Sequence, residues 1–178
     1  MSVVVYKDGV LACDLQATIG DLLQPTQVLK IAKINGHLFG GVGDPFQFED
    51  LLRWVRQRNA TDMEPVATDS RPDFITKDEA DGDKSSDFLW ITPDGEIRLT
   101  DHNQFPAYFS AKHGSVVLGS GREVAAGALH MNASPVEAAV AACALNAYCG
   151  VGVATLKLGG DPNAEPEVTL FRPLELMD

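Results

Sequence analysis

Short apolar runs separated by turn dipeptides dominate the chain, and helical spacing breaks in at three places. Val3 to Lys7 and Val10 to Cys13 flank Asp8-Gly9, while Val28 to Ile34 and His37 to Gly41 flank Asn35-Gly36. Asp-Gly and Asn-Gly supply the left-handed backbone of a type I′ turn, so each pair of runs predicts a β-hairpin. Phe88 to Thr92 and Glu96 to Leu99 predict a third hairpin about Pro93-Asp94-Gly95. Further strands are expected at Ser115 to Leu118, Val151 to Lys157 and Val168 to Phe171, the last two separated by the Gly159-Gly160-Asp161-Pro162-Asn163 turn.

Helical spacing first appears after Gly43. Asp44 can cap a helix with Pro45 at its first position and Phe48, Leu51, Leu52 and Val55 on one face, running to about Asn59. Gly119-Ser120-Gly121 leads into a second helix, Arg122 to Met131. Ser134 and Glu137 stand at capping-box spacing and open a third, kept slim by Ala138, Ala139, Ala141, Ala142 and Ala144. Between Ala60 and Ser86 the pattern lapses into Pro, Asp, Ser and Thr, with an acidic cluster at 77–83, which predicts a long surface excursion or a poorly ordered loop.

Strands, helix, strands, two helices, strands is not the single alternation of strand and helix that a parallel sheet needs. It predicts an α+β fold, a layered sandwich of two mainly antiparallel sheets with helices interposed. The 178 residues, 45% of them hydrophobic, suffice for one sizeable core, so 1–178 is expected to be one domain with a loop excursion at about 60–86.

Charge narrows the class. Twenty-five acidic against fourteen basic residues give a net charge of −11, which repels phosphate backbones and anionic membranes. Neither a nucleic-acid nor a membrane partner is expected. No run approaches the roughly 20 apolar residues of a membrane span, and no basic and then apolar leader opens the sequence, which points to a cytoplasmic protein. Cys13, Cys143 and Cys149 are odd in number and lack CxxC spacing, so neither a disulfide framework nor a zinc site is expected, and no cofactor is implied.

Ser2 is the candidate nucleophile. It follows a Met that aminopeptidases readily remove, and a hydroxyl residue carrying its own free α-amine needs no histidine. With an unperturbed pKa of roughly 7.7 to 8.0, that amine can take the hydroxyl proton itself. Alone, Ser2 reads more simply as a small residue behind a start codon. His37, His102, His113 and His130 are scattered, so no Ser-His-Asp triad is indicated, and surface or hydrogen-bonded histidines fit better.

Four collinear segments add to this: Lys7-Asp8-Gly9-Val10-Leu11-Ala12-Cys13-Asp14-Leu15-Gln16-Ala17-Thr18, Val28-Leu29-Lys30-Ile31, Phe39-Gly40-Gly41-Val42-Gly43-Asp44 and Leu118-Gly119-Ser120-Gly121. Together they resemble proteasome β subunits and bacterial HslV-type peptidases over most of the chain. The resemblance implies a four-layer αββα sandwich of the N-terminal nucleophile hydrolase type. The separation of Asp14 from Lys30 matches the family's, which favours Lys30 over Lys33 as the site lysine. The first hairpin is shorter than the family's by residues lost in facing pairs, which preserves side-chain direction and brings the family's Thr position onto Ser2.

By the same resemblance, Ser2 attacks a peptide carbonyl and Lys30, paired with Asp14, places positive charge beside it. The Gly40 amide faces the oxyanion, Ser120 orients the amino terminus, and Thr18 and Gly40 flank a cleft in which a substrate strand is added. Implied partners are an unfolded polypeptide or peptide substrate, further copies of the chain in a homo-oligomeric ring, and an ATP-dependent unfoldase. The chain departs from the family at Ser2 for Thr, at Asn146 for an Asp, and at Cys149 for a Ser. From the residues alone, Asp14 and Lys30 also fit an ordinary strand-end ion pair. Two rivals stand beside the peptidase: a catalytically silent ring or scaffold protein, and an amidase for small molecules.

Overall fold

The computed structural model describes residues 2–19, 22–57, 86–100 and 114–171. The expected excursion, save Ser86, and its acidic 77–83 cluster lie outside the described residues, as do His102 and His113.

β1 (Val3–Lys7) and β2 (Val10–Asp14) form the first hairpin, closed by Asp8 and Gly9 at φ 50° and 79°. β3 (Gln16–Ile19) and β4 (Leu22–Gln27) follow as a separate two-stranded ribbon that the sequence pattern did not disclose. Its residues show no alternation against a core, and Pro25 argues against a central strand; a ribbon with open edges tolerates both. β5 (Ile31–Ile34) and β6 (His37–Val42) make the next hairpin, with Asn35 and Gly36 at φ 52° and 84°. β5 starts three residues later than the expected Val28, because Val28 to Lys30 serve the ribbon's base instead; the Val28 amide donates to Leu15 O at 3.0 Å.

α1 (Pro45–Arg56) starts as anticipated, with Asp44 Oδ1 accepting from the Phe46 amide at 2.8 Å, but it ends at Arg56 with Gln57 as its cap rather than at Asn59. β7 (Asp87–Ile91) and β8 (Ile97–Thr100) are the third hairpin, and β9 (Ser115–Gly119) leads to α2 (Arg122–His130). α3 (Pro135–Leu145) carries the capping box, in which the Glu137 amide donates to Ser134 Oγ at 3.2 Å and the Ser134 amide donates to Glu137 Oε2 at 2.7 Å. β10 (Gly152–Lys157) and β11 (Glu167–Leu170) complete the described elements.

One sheet runs β11-β10-β2-β1-β9 and the other β5-β6-β7-β8, every neighbouring pair antiparallel. Successive side chains of a strand point to opposite faces, so β1 serves two cores at once. Val4 and Tyr6 join Leu11, Leu38, Leu89 and Ile91 between the sheets, while Val3 and Val5 meet Ala125, Ala138 and Ala142 of α2 and α3. On the far side of the second sheet, Phe39, Phe88 and Trp90 meet Phe48, Leu51, Leu52 and Val55 of α1. The layers are therefore helix, sheet, sheet, helix, the αββα order. His37 is a hydrogen-bonded core residue: its Nδ1 accepts from Trp90 Nε1 at 2.9 Å, and burial, with Arg98 nearby, holds its pKa below the ordinary histidine value. No helix among the described residues is long and apolar enough to cross a membrane.

Candidate active site

Where β1 begins, the chain is tied to the turn after β9. The Ser2 main-chain nitrogen donates to Ser120 Oγ at 3.1 Å, the Ser120 hydroxyl lies 3.3 Å from Ser2 O, and the Gly121 amide donates to that same carbonyl at 3.2 Å. Gly119 permits this approach: at φ 92° its backbone is left-handed, and a Cβ there would sit 2.1 Å from Ser2 O. Every described hydrogen bond of Ser2 runs through its main chain, and the residue is only 2% exposed.

Beneath Ser2, β2 ends in a fully buried Asp14. Its Oδ1 accepts from the Val3 amide at 2.8 Å and pairs with Lys30 Nζ at 3.0 Å, while Oδ2 accepts from the Gln16 amide at 3.0 Å and the Gly150 amide at 3.4 Å. Burial pushes the Asp14 carboxyl up, opposed by the Lys30 ammonium and by the Val3 and Gln16 amides. Lys30 Nζ also donates to Asp14 O at 2.8 Å and Gln16 O at 2.9 Å, so all three of its protons are engaged. None of them is directed at Ser2. Lys33 is turned away, donating to the carbonyls of Lys157 and Gly159, so the geometry separates the two lysines that spacing alone had to choose between.

A cleft of about 400 Å³ opens over Ser2 and Lys30, walled by Gln16, Ala17 and Thr18 of β3 on one side and by Gly41, Gly43 and Phe46 on the other. Thr18 Oγ1 has no hydrogen-bond partner among the described residues. A hollow of about 510 Å³ at the opposite, turn end of β1, lined by Tyr6, Asp8, Asp94 and Leu158, holds none of these groups.

Gly40 stands apart from the cleft wall. It pairs with Ile31 in β5 and Leu89 in β7, and the Gly41 amide donates to Lys30 O at 2.9 Å. Amides alternate along a strand, so the Gly40 N–H turns toward β7, and its missing side chain accommodates Val4, whose Cγ1 would lie 2.8 Å from a Cβ. The tight two-residue turn at Asn35-Gly36 sets this register, and no motif comparison reveals it. Gly43, just past the end of β6 at φ 110°, lines the cleft.

Asn146, read from sequence as a missing carboxylate, has a task of its own. Its Nδ2 donates to Ser120 O at 2.9 Å and its Oδ1 accepts from the Tyr148 amide at 2.9 Å. A carboxylate has no proton for the first of these bonds. Cys149 is buried beside Ser120, its thiol pushed up to about 11 chiefly by burial, and burial likewise raises Cys13 to about 12 and Cys143 higher still. Since the thiolate is the reactive form, native protein at pH 8 should take no label from a disulfide reagent such as DTNB within minutes. The same protein in guanidinium should take up label at all three cysteines.

No family model and no curated protein matches the sequence. Among solved structures, the crystal structure of eukaryotic HslV from Trypanosoma brucei aligns over 88% of this chain and 98% of that one, with a TM-score of 0.59 and 16% identity. The fold is HslV-like. The expected sandwich of two antiparallel sheets between helical layers is thus what forms, and at this level of identity the likeness to HslV is one of fold. Chemistry has to be argued from the residues themselves.

Proposed function

We propose that this chain is a proteasome-like peptidase whose nucleophile is Ser2, exposed by removal of Met1. The supporting observation is the convergence at one cleft of the Ser2 main chain, Ser120 and the buried Asp14 and Lys30 pair. With Met1 gone, the Ser2 nitrogen is an amine that takes the proton from Oγ, and Oγ attacks the carbonyl carbon of a peptide bond. The tetrahedral oxyanion collapses by expelling the leaving amine, which collects the proton, and water then releases the acyl group from Oγ by the same route. Lys30 lowers the energy of the alkoxide and oxyanion by its charge. Gly40 is the oxyanion donor implied by family likeness; since its amide turns toward β7, Gly43 in the cleft lining is the alternative donor. Thr18 and Gly41 edge the gap where an extended substrate adds as a strand. A homo-oligomeric ring fed by an ATP-dependent unfoldase, in the cytoplasm, is the setting that suits such a cleft.

Intact-mass analysis before and after treatment with a peptidyl epoxyketone, which closes a ring through hydroxyl and amine together, tests the reading. The expected result is loss of the Met1 mass and one adduct mapping to Ser2, absent from Ser2→Ala. Retained Met1 with no adduct would overturn it and favour the scaffold reading. An adduct on a monomer or dimer that cleaves small amides and leaves unfolded polypeptides intact would favour the amidase.

A further inference from the structure

We infer that Gln16 is a positioning residue for the Ser2 amine, acting through the 146–150 loop; this rests on the peptidase reading above. Gln16 is 7% exposed, and its Nε2 donates to Ala147 O at 2.9 Å. The carbonyl acceptor fixes which end of the side-chain amide faces the loop, and Gly150 makes room for the other end, since a Cβ at Gly150 would lie 2.5 Å from Gln16 Oε1. The loop leaves α3 without regular secondary structure of its own, so its position depends on such pins.

What the loop holds is the nucleophile's support. Asn146, next to the pinned Ala147, donates to Ser120 O at 2.9 Å, and Ser120 Oγ accepts from the Ser2 nitrogen at 3.1 Å. At the loop's other end the Gly150 amide reaches Asp14 Oδ2 at 3.4 Å. Gln16 therefore touches both halves of the site, its main chain bonded to Asp14 and Lys30 and its side chain bonded to the loop whose Asn146 holds Ser120. Releasing the side-chain bond frees Ala147 and, through Asn146, the main chain of Ser120, whose Oγ the amine is set against.

Gln16→Met keeps length and removes the donor; Gln16→Glu replaces it with a group that donates only when protonated. The expected result is a fall in kcat of about tenfold for Gln16→Met, the scale of one lost buried hydrogen bond, with KM changed less than about twofold and the acid limb of kcat/KM displaced. Gln16→Glu should recover toward wild type as pH falls and its carboxyl becomes a donor to Ala147 O, whereas Gln16→Met should not. Asn146→Asp, broken at the other end of the same path, should be non-additive with Gln16→Met. Independently of turnover, the pH dependence of α-amine acylation by an N-hydroxysuccinimide ester, followed by mass spectrometry on protein lacking Met1, should shift in Gln16→Met. Unchanged amine titration and unchanged kcat would overturn the positioning role. Wild type without turnover, but with a titration that shifts on Gln16→Met, would overturn the peptidase reading alone.

Discussion

Lys30→Met should unfold more easily than wild type by about 3–5 kcal/mol, the cost of stranding one partner of a buried ion pair. In a domain of this size that lowers Tm by roughly 10 °C. The loss is large because Asp14 is fully buried and Lys30 supplies its only charged partner among the described residues, while Asp14 O and Gln16 O lose a donor at the same stroke. Burial already raises the Asp14 pKa above its unfolded value, so the folded state holds that proton more tightly. The deficit of the variant should therefore be smallest below about pH 4 and deepen as pH rises through the folded pKa. Asp14→Asn combined with Lys30→Met should recover part of the stability, since no charge is then left buried, but none of the reaction with an epoxyketone. Chemical denaturation across pH 4 to 8, with adduct formation alongside, separates the two effects; a single variant as stable as wild type at pH 7 would contradict the ion-pair account.

Gly119→Ala is the second severe change. The residue sits at φ 92°, where a side chain is disfavoured by about 1–2 kcal/mol. The added methyl would also meet backbone, 2.1 Å from Ser2 O and 2.8 Å from Ser2 C, so no rotamer relieves it. A combined loss above about 2 kcal/mol is expected, together with failure of Ser2 to take an adduct, because the displaced carbonyl is the one bonded to Ser120 and Gly121. Gly127→Ala provides the contrast. It lies inside α2 with nothing within 4 Å of the new methyl, and should stabilise the protein by about 0.5–1 kcal/mol. A Gly119→Ala protein as stable as wild type and still modified at Ser2 would contradict the contact with Ser2.

Hairpins at Asp8-Gly9 and Asn35-Gly36 were legible because two adjacent residues carry the whole turn geometry, and the helices because caps and spacing agree. The β3 and β4 ribbon was not, since strands that pack on no core leave no alternation to read. Asp14, Lys30, Ser120, Ser2 and Thr18 were named from motif order; Ser2, Lys30 and Thr18 line one cleft, Asp14 pairs with Lys30 and Ser120 accepts from the Ser2 nitrogen. The direction of the Gly40 amide, toward β7, is a matter of register that spacing does not encode. Gln16 lay inside the first of the four segments but with no role of its own: the one proposed for it rests on a bond to Ala147, more than a hundred residues away in the chain, and on the absent side chain of Gly150.

The Asp14 carboxylate is assembled from four stretches of chain, with donors arriving from Val3, Gln16, Lys30 and Gly150. These stretches lie far apart in the chain, from Val3 to Gly150. While the 146–150 loop is undocked, Asp14 is short of the Gly150 donor and Ser120 of its bond to Asn146. On the peptidase reading proposed above, closing the fold is thus itself the step that would arm the nucleophile.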